Sequence, residues 1–130
     1  MQRKARGDAP RKKATEKKIR KEEKMMEAVA FAYEDDAVRA MIKCEIDHHT
    51  ARGIREKIDR EIFIRRPSVL YLDFSGVRFM DSSGIGLIIG RSQVAEAVNS
   101  TVKLVGLSDT LRKLIRLSGI ERIKNIYIGK

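Results

Sequence analysis

The run Phe79-Met80-Asp81-Ser82-Ser83-Gly84-Ile85-Gly86 decides the fold. Aspartate and serine gather where a chain enters a helix, because their short oxygen-bearing side chains accept from the first free backbone N–H groups. Ile85, Leu87, Ile88, Ile89, Val94 and Val98 follow, so the helix that starts here is expected to be largely buried in its first half. Just ahead, residues 69–74 (VLYLDF) form a β-rich run that is apolar on both faces until Asp73, the pattern of a central strand flanked by neighbours. After the helix stops at Asn99 and Ser100, Thr101–Val105 supplies another strand. Residues 69–105 thus read β-α-β, which requires parallel strands and a right-handed crossover.

Moving outward, residues 28–33 and 37–44 are short apolar stretches separated by Glu34-Asp35-Asp36, the signature of a hairpin with an acidic turn. Ile54, Ile58 and Ile62 recur every fourth residue among charged ones, giving a helix with one apolar stripe that Pro67 closes. A last helix is expected over residues 109–117, with Leu111, Leu114, Ile115 and Ser118 inward, Ser108 or Asp109 as cap and Gly119 as stop. Ile126–Ile128 completes the chain as a terminal strand fragment. The class is α/β, with element order β-β-α-β-α-β-α in one domain over residues 27–130.

Charged residues make up 35% of the 130, and the excess of positive charge is concentrated at the start. Residues 1–26 hold eleven Lys/Arg and four Asp/Glu, so most of the net charge of +10 belongs to a basic tail. Residues 1–24 contain one isolated Ile and no aromatic, too little apolar surface to offset ordering entropy, and are expected to be disordered or a frayed helix. Three explanations of the tail stand side by side: a nucleic-acid-binding arm, a solvated extension, or a translation start that lies later. Lys21-Glu22-Glu23 can be encoded by AAGGAGGAA, a ribosome-binding sequence, just ahead of Met25 and Met26. The intact mass of the native protein tests the third. The arm lacks aromatics on which bases stack, and the domain shows no recognition-helix signal, which argues against nucleic acid.

Cys44 stands alone, so no internal disulfide and no Cys-rich metal cluster is expected. The longest apolar run, residues 85–89, is broken by Gly86 and Gly90 and falls far below the roughly 20 residues of a bilayer span. With no secretory signal pattern at the N-terminus, a cytoplasmic location is expected.

Four blocks in order carry a resemblance: residues 45–50 (EIDHHT), residues 79–86 (FMDSSGIG), Gly90-Arg91, and residues 117–120 (LSGI). Over residues 27–130 the chain resembles the STAS domain, and in particular the anti-sigma factor antagonists of the sporulation sigma-F pathway. The resemblance implies a small mixed β-sheet with helices packed on one side. It implies that Ser82, with Ser83 as fallback, is phosphorylated by an anti-sigma factor that is also a serine protein kinase and supplies ATP and Mg²⁺. The unphosphorylated form binds that kinase and releases the sigma factor, phosphorylation ends binding, and a protein phosphatase resets it. No direct sigma factor contact, membrane partner, metal, or cofactor is implied, and the chain is not an enzyme.

By the same resemblance the partner-binding surface comprises Asp47, His48, His49, Thr50, Asp81, Ser82, Ser83, Gly84 and Arg91. The residues themselves leave alternatives open. One serine can cap the helix while the other points outward, and Asp81 can be a cap or can sharpen charge discrimination beside Ser82. Asp47 or Thr50 can cap the first helix, and adjacent histidines should project in different directions, a poor metal arrangement. A Ser/His/Asp triad lacks its GxSxG elbow, and GxxxxGK[ST] is missing, so neither hydrolysis nor nucleotide binding follows. Gly84 and Gly86 in a first helical turn suggest close approach by another backbone. Arg91 can pair with a partner carboxylate or solvate its helix. Cys44 stands where the family commonly has glycine and is expected to be small and buried.

Overall fold

Alternation along five strands sets the architecture of the computed structural model, which describes residues 28–129. Strands β1 (Val29–Glu34) and β2 (Ala37–Ile42) pair antiparallel across a turn in which Asp35 takes φ 49°, a left-handed conformation that aspartate tolerates. Strands β3 (Val69–Asp73), β4 (Thr101–Val105) and β5 (Ile126–Ile128) add in parallel, in spatial order β1-β2-β3-β4-β5. The hairpin and the parallel β-α-β unit are thus as expected, with β3 at the centre.

Val38, Ala40, Ile42, Leu70, Leu72, Val102 and Leu104 all point to one face and are buried. Against them lie α1 (Ala51–Arg65), which contributes Ile54, Ile58 and Ile62, and α2 (Ser82–Ala97), which contributes Leu87, Ile88 and Ala95. Helix α3 (Asp109–Ser118) adds Leu111 and Ile115, is capped by Ser108, which accepts from Leu111 N–H at 3.1 Å, and ends at Gly119 with φ 78°. A short 3-10 turn, Ile120–Arg122, then leads into β5. Helix α1 ends where Arg66 adopts φ 45° ahead of Pro67.

The opposite sheet face corrects one expectation. Strand β3 is central but covered on one side only: Val69, Tyr71 and Asp73 are half-buried rather than sealed. Tyr71 is shielded instead by long cationic side chains, with the Arg39 guanidinium 4.8 Å and the Lys103 ammonium 5.9 Å from its ring centroid. Strand β2 stops at Ile42, and Cys44, expected to be buried, is half-buried in the bend beyond it. Partial burial still pushes its thiol pKa up. The readings of residues 1–26 fall outside the described residues.

Candidate functional site

Two loops that are distant in sequence are tied together beneath the site. Ile46 N–H donates to Phe79 O at 3.1 Å and Asp81 N–H donates to Ile46 O at 3.1 Å, forming an isolated parallel bridge between Ile46 and Met80. Both residues are buried, which fixes the loops from below. Above the bridge, the EIDHHT block and the start of the DSSG block emerge side by side at the C-terminal end of the sheet.

Within the first loop Asp47 organises a tight turn. Its Oδ1 accepts from His49 N–H at 2.8 Å and Thr50 N–H at 3.0 Å, while Thr50 Oγ1 accepts from Asp47 N–H at 3.1 Å and donates to Glu45 O at 2.8 Å. Thr50 is the N-cap residue of α1 by position, but its hydroxyl serves the turn and not the helix. Donation by the Thr50 N–H holds the Asp47 carboxyl below its ordinary value, with His49 reinforcing the shift. His48 and His49 are both exposed. Their rings do not diverge as the sequence suggested: the turn brings the centroids to 3.9 Å with planes tilted by 39°. Among the described residues no group of three or more His, Cys, Asp or Glu is placed to hold a metal.

At the second loop the cap is Asp81, whose extended backbone lets its side chain accept from Ser83 N–H at 2.7 Å. This settles which of the possible caps is used, and neither serine is it. Ser82 is exposed on the first turn of α2, and its hydroxyl makes no hydrogen bond among the described residues. Ser83 is half-buried and turned toward α1, where it lines a groove. Gly84 is buried, and the sequence-based reason for it changes: a Cβ there would collide with the Met80 side chain, not with a backbone. Gly86 faces open space.

Arg91 also differs from expectation. It is only 4% exposed and neither solvates the helix nor projects outward; its Nε lies 2.7 Å from Oδ1 of Asp59 on α1. The helices pack with these residues between them, so an arginine in the third turn of α2 reaches inward. Burial raises the Asp59 pKa despite the neighbouring guanidiniums of Arg91 and Arg55, and it lowers that of Arg91. Asp59 and Arg55 were read in the sequence only as the polar flank of the isoleucine stripe. Their position directly after and one turn before Ile58 was the available signal, since residues bordering a buried stripe also meet the neighbouring helix.

The description "STAS domain" belongs to the family model that matches residues 33–128 of this chain. The chain belongs to the STAS domain family. The STAS domain of this chain is 41% identical over 76 residues to the anti-sigma F factor antagonist of Lysinibacillus sphaericus, covering 58% of this chain and 65%, just under two thirds, of that protein. It is 32% identical over 95 residues to the anti-sigma-B factor antagonist of Listeria monocytogenes, covering 70% of this chain and 82% of the other. Among solved structures it is similar to the Bacillus cell fate determinant SpoIIAA in the phosphorylated form, with 32% identity and a TM-score of 0.60 over 79% of this chain and 92% of that one. The mixed five-stranded sheet with its three helices is thus the STAS fold that the four sequence blocks implied. Among the described residues no helix of this STAS domain is long and apolar enough to cross a membrane.

Proposed function

We propose that this STAS domain is an anti-sigma factor antagonist controlled by phosphorylation of Ser82. In the unphosphorylated state the surface formed by Asp47, His48, His49, Thr50 and the start of α2 binds an anti-sigma factor that is also a serine kinase. The sigma factor is thereby released without touching this chain. The kinase brings ATP and Mg²⁺, a phosphatase removes the phosphate, and the chain itself catalyses nothing.

The observation that carries this reading is that Ser82 is exposed while Asp81 performs the capping. A serine that capped its own helix would give up its hydroxyl to the backbone; here the hydroxyl is available to an incoming phosphoryl group. The backbone N–H groups of the first turn and the helix dipole favour a phosphate there by about 0.3–2 kcal/mol, so the domain itself tolerates the modification. Inside a protein interface the same dianion is uncompensated, and a penalty of about 2.8 kcal/mol already weakens binding roughly 100-fold. The switch is therefore repulsion at the interface, without refolding.

Incubation with a candidate anti-sigma kinase and ATP, followed by phosphosite mapping, tests the proposal. Ser82→Ala should abolish phosphate incorporation and retain kinase binding, and Ser82→Asp should weaken binding. Incorporation that persists in Ser82→Ala would move the site to Ser83. Of the alternative settings for the same fold, general-stress regulation or a signalling scaffold, the first is supported by the similarity to the Listeria anti-sigma-B antagonist; the DHHT block, residues 47–50, favours the sporulation type. Pairing the chain with a kinase of each type distinguishes them.

A further inference from the structure

The groove between α1 and α2 has a volume of about 360 Å³ and opens beside the serine pair; His48, Arg52, Arg55, Ser83, Gly90 and Arg91 are among the residues that line it. Its charges do not balance. Arg52 is paired with Glu56 at 3.3 Å and Arg91 with Asp59 at 2.7 Å, while Arg55 has no carboxylate within ion-pair distance among the described residues. The Asp59 carboxylate is thus in contact with the buried Arg91 guanidinium and feels Arg55 only at longer range. Arg91 Nη1 is buried without a hydrogen-bond partner among the described residues, and Nε meets Asp59 Oδ1 in ion-pair contact but without hydrogen-bond alignment. Those two nitrogens are sealed from solvent, so an oxyanion in the groove meets only the edge of Arg91 that lines it and acts there by offsetting positive charge.

Space for such a group is already present. A side chain at Gly86 or Gly90 would meet nothing within 4 Å, so the α2 wall of the groove is bare where it faces outward. We propose that this groove takes one carboxylate side chain of the protein that reads Ser82, held by Arg91 and Arg55. The proposal rests on the reading of Ser82 as the partner-facing residue, because a protein seated on the first turn of α2 also overlies the groove. With His48 neutral the imbalance is a single positive charge, that of Arg55, which matches a carboxylate. A phosphate dianion would leave an excess negative charge against Asp59.

The test uses the isolated chain, labelled for NMR and titrated at constant ionic strength with acetate in one arm and inorganic phosphate in the other. Acetate should shift the Gly86 and Gly90 amides saturably. Asp59→Asn removes the competing carboxylate and should tighten acetate binding about tenfold, whereas Arg55→Gln, at an exposed position, should weaken it about tenfold. A purely structural Asp59–Arg91 pair predicts no saturable shift in any of these variants, and that result overturns the proposal. Saturation by phosphate and not by acetate overturns the carboxylate assignment. Ser82→Ala should leave both titrations unchanged, so failure of the phosphorylation reading and failure of the groove are separately visible.

Discussion

Ile46 and Met80 face each other in a single parallel bridge, with Ile46 giving its N–H to Phe79 O and taking the N–H of Asp81. This contact sets the spacing of the two loops that make the candidate surface. Ile46 is fully buried, so Ile46→Ala should lower stability by about 2–5 kcal/mol in urea unfolding. Because the cavity opens under both loops, the amide resonances of residues 47–50 and 81–84 should shift together. A change confined to one loop would show that the bridge does not couple them.

Asp81 and Ser82 should separate stability from switching. Asp81→Ala removes the acceptor for Ser83 N–H and should cost about 0.5–2 kcal/mol in thermal or chemical unfolding. Ser82→Ala removes an exposed hydroxyl that makes no hydrogen bond among the described residues, and should change stability by no more than about 0.5 kcal/mol. Equal losses in the two variants would mean that Ser82 shares the capping role.

The order of elements was legible because each carries its own periodicity: the fourfold isoleucine spacing of α1, the alternation in β4, and the Ser108 and Gly119 boundaries of α3. The serine pair and the EIDHHT loop were legible as motifs. What local pattern cannot encode is which face of an element meets which neighbour. Tyr71 and Val69 looked like residues of a strand covered on both sides, yet Arg39 and Lys103 shield that ring instead of a helix. Arg91 looked like a surface cation because an arginine's usual place is in water, and only the packing of α1 against α2 shows Asp59 waiting for it. The close, tilted approach of the His48 and His49 rings depends on a turn held by hydrogen bonds from residues 49 and 50 to Asp47, again beyond sequence spacing.

The two aspartates near the site should titrate in opposite directions. Asp47 is held below the ordinary aspartate value, first by Thr50 N–H and also by His49. Its stabilising contribution is present above the unfolded-state pKa and is lost as pH falls through the lower folded-state value. Asp59, raised first by burial, does the reverse: its contribution is greatest in acid and is lost as pH rises through its folded-state value. Carboxyl NMR titration should show Asp47 the more acidic of the two, and Asp47→Asn should flatten the acid limb of the stability curve. Coincident titration of the two groups would contradict the hydrogen-bonded turn.

Gly84 decides between packing and partner contact. A Cβ at this position runs into the Met80 side chain, so Gly84→Ala should cost about 1–3 kcal/mol even though alanine favours helix. Met80→Ala alone should also destabilise, through the cavity it leaves under the Ile46 bridge. Combining the two removes the collision, fills part of that cavity and restores the helix preference for alanine, so the double variant should be more stable than the sum of the single losses by at least about 1 kcal/mol. Strict additivity in this cycle, with undiminished stability of Gly84→Ala and reduced kinase affinity, would instead assign the glycine to the partner interface. Chemical unfolding of the four proteins, read beside kinase binding, separates the two roles because the Met80 collision lies inside the domain and acts whether or not a partner is present.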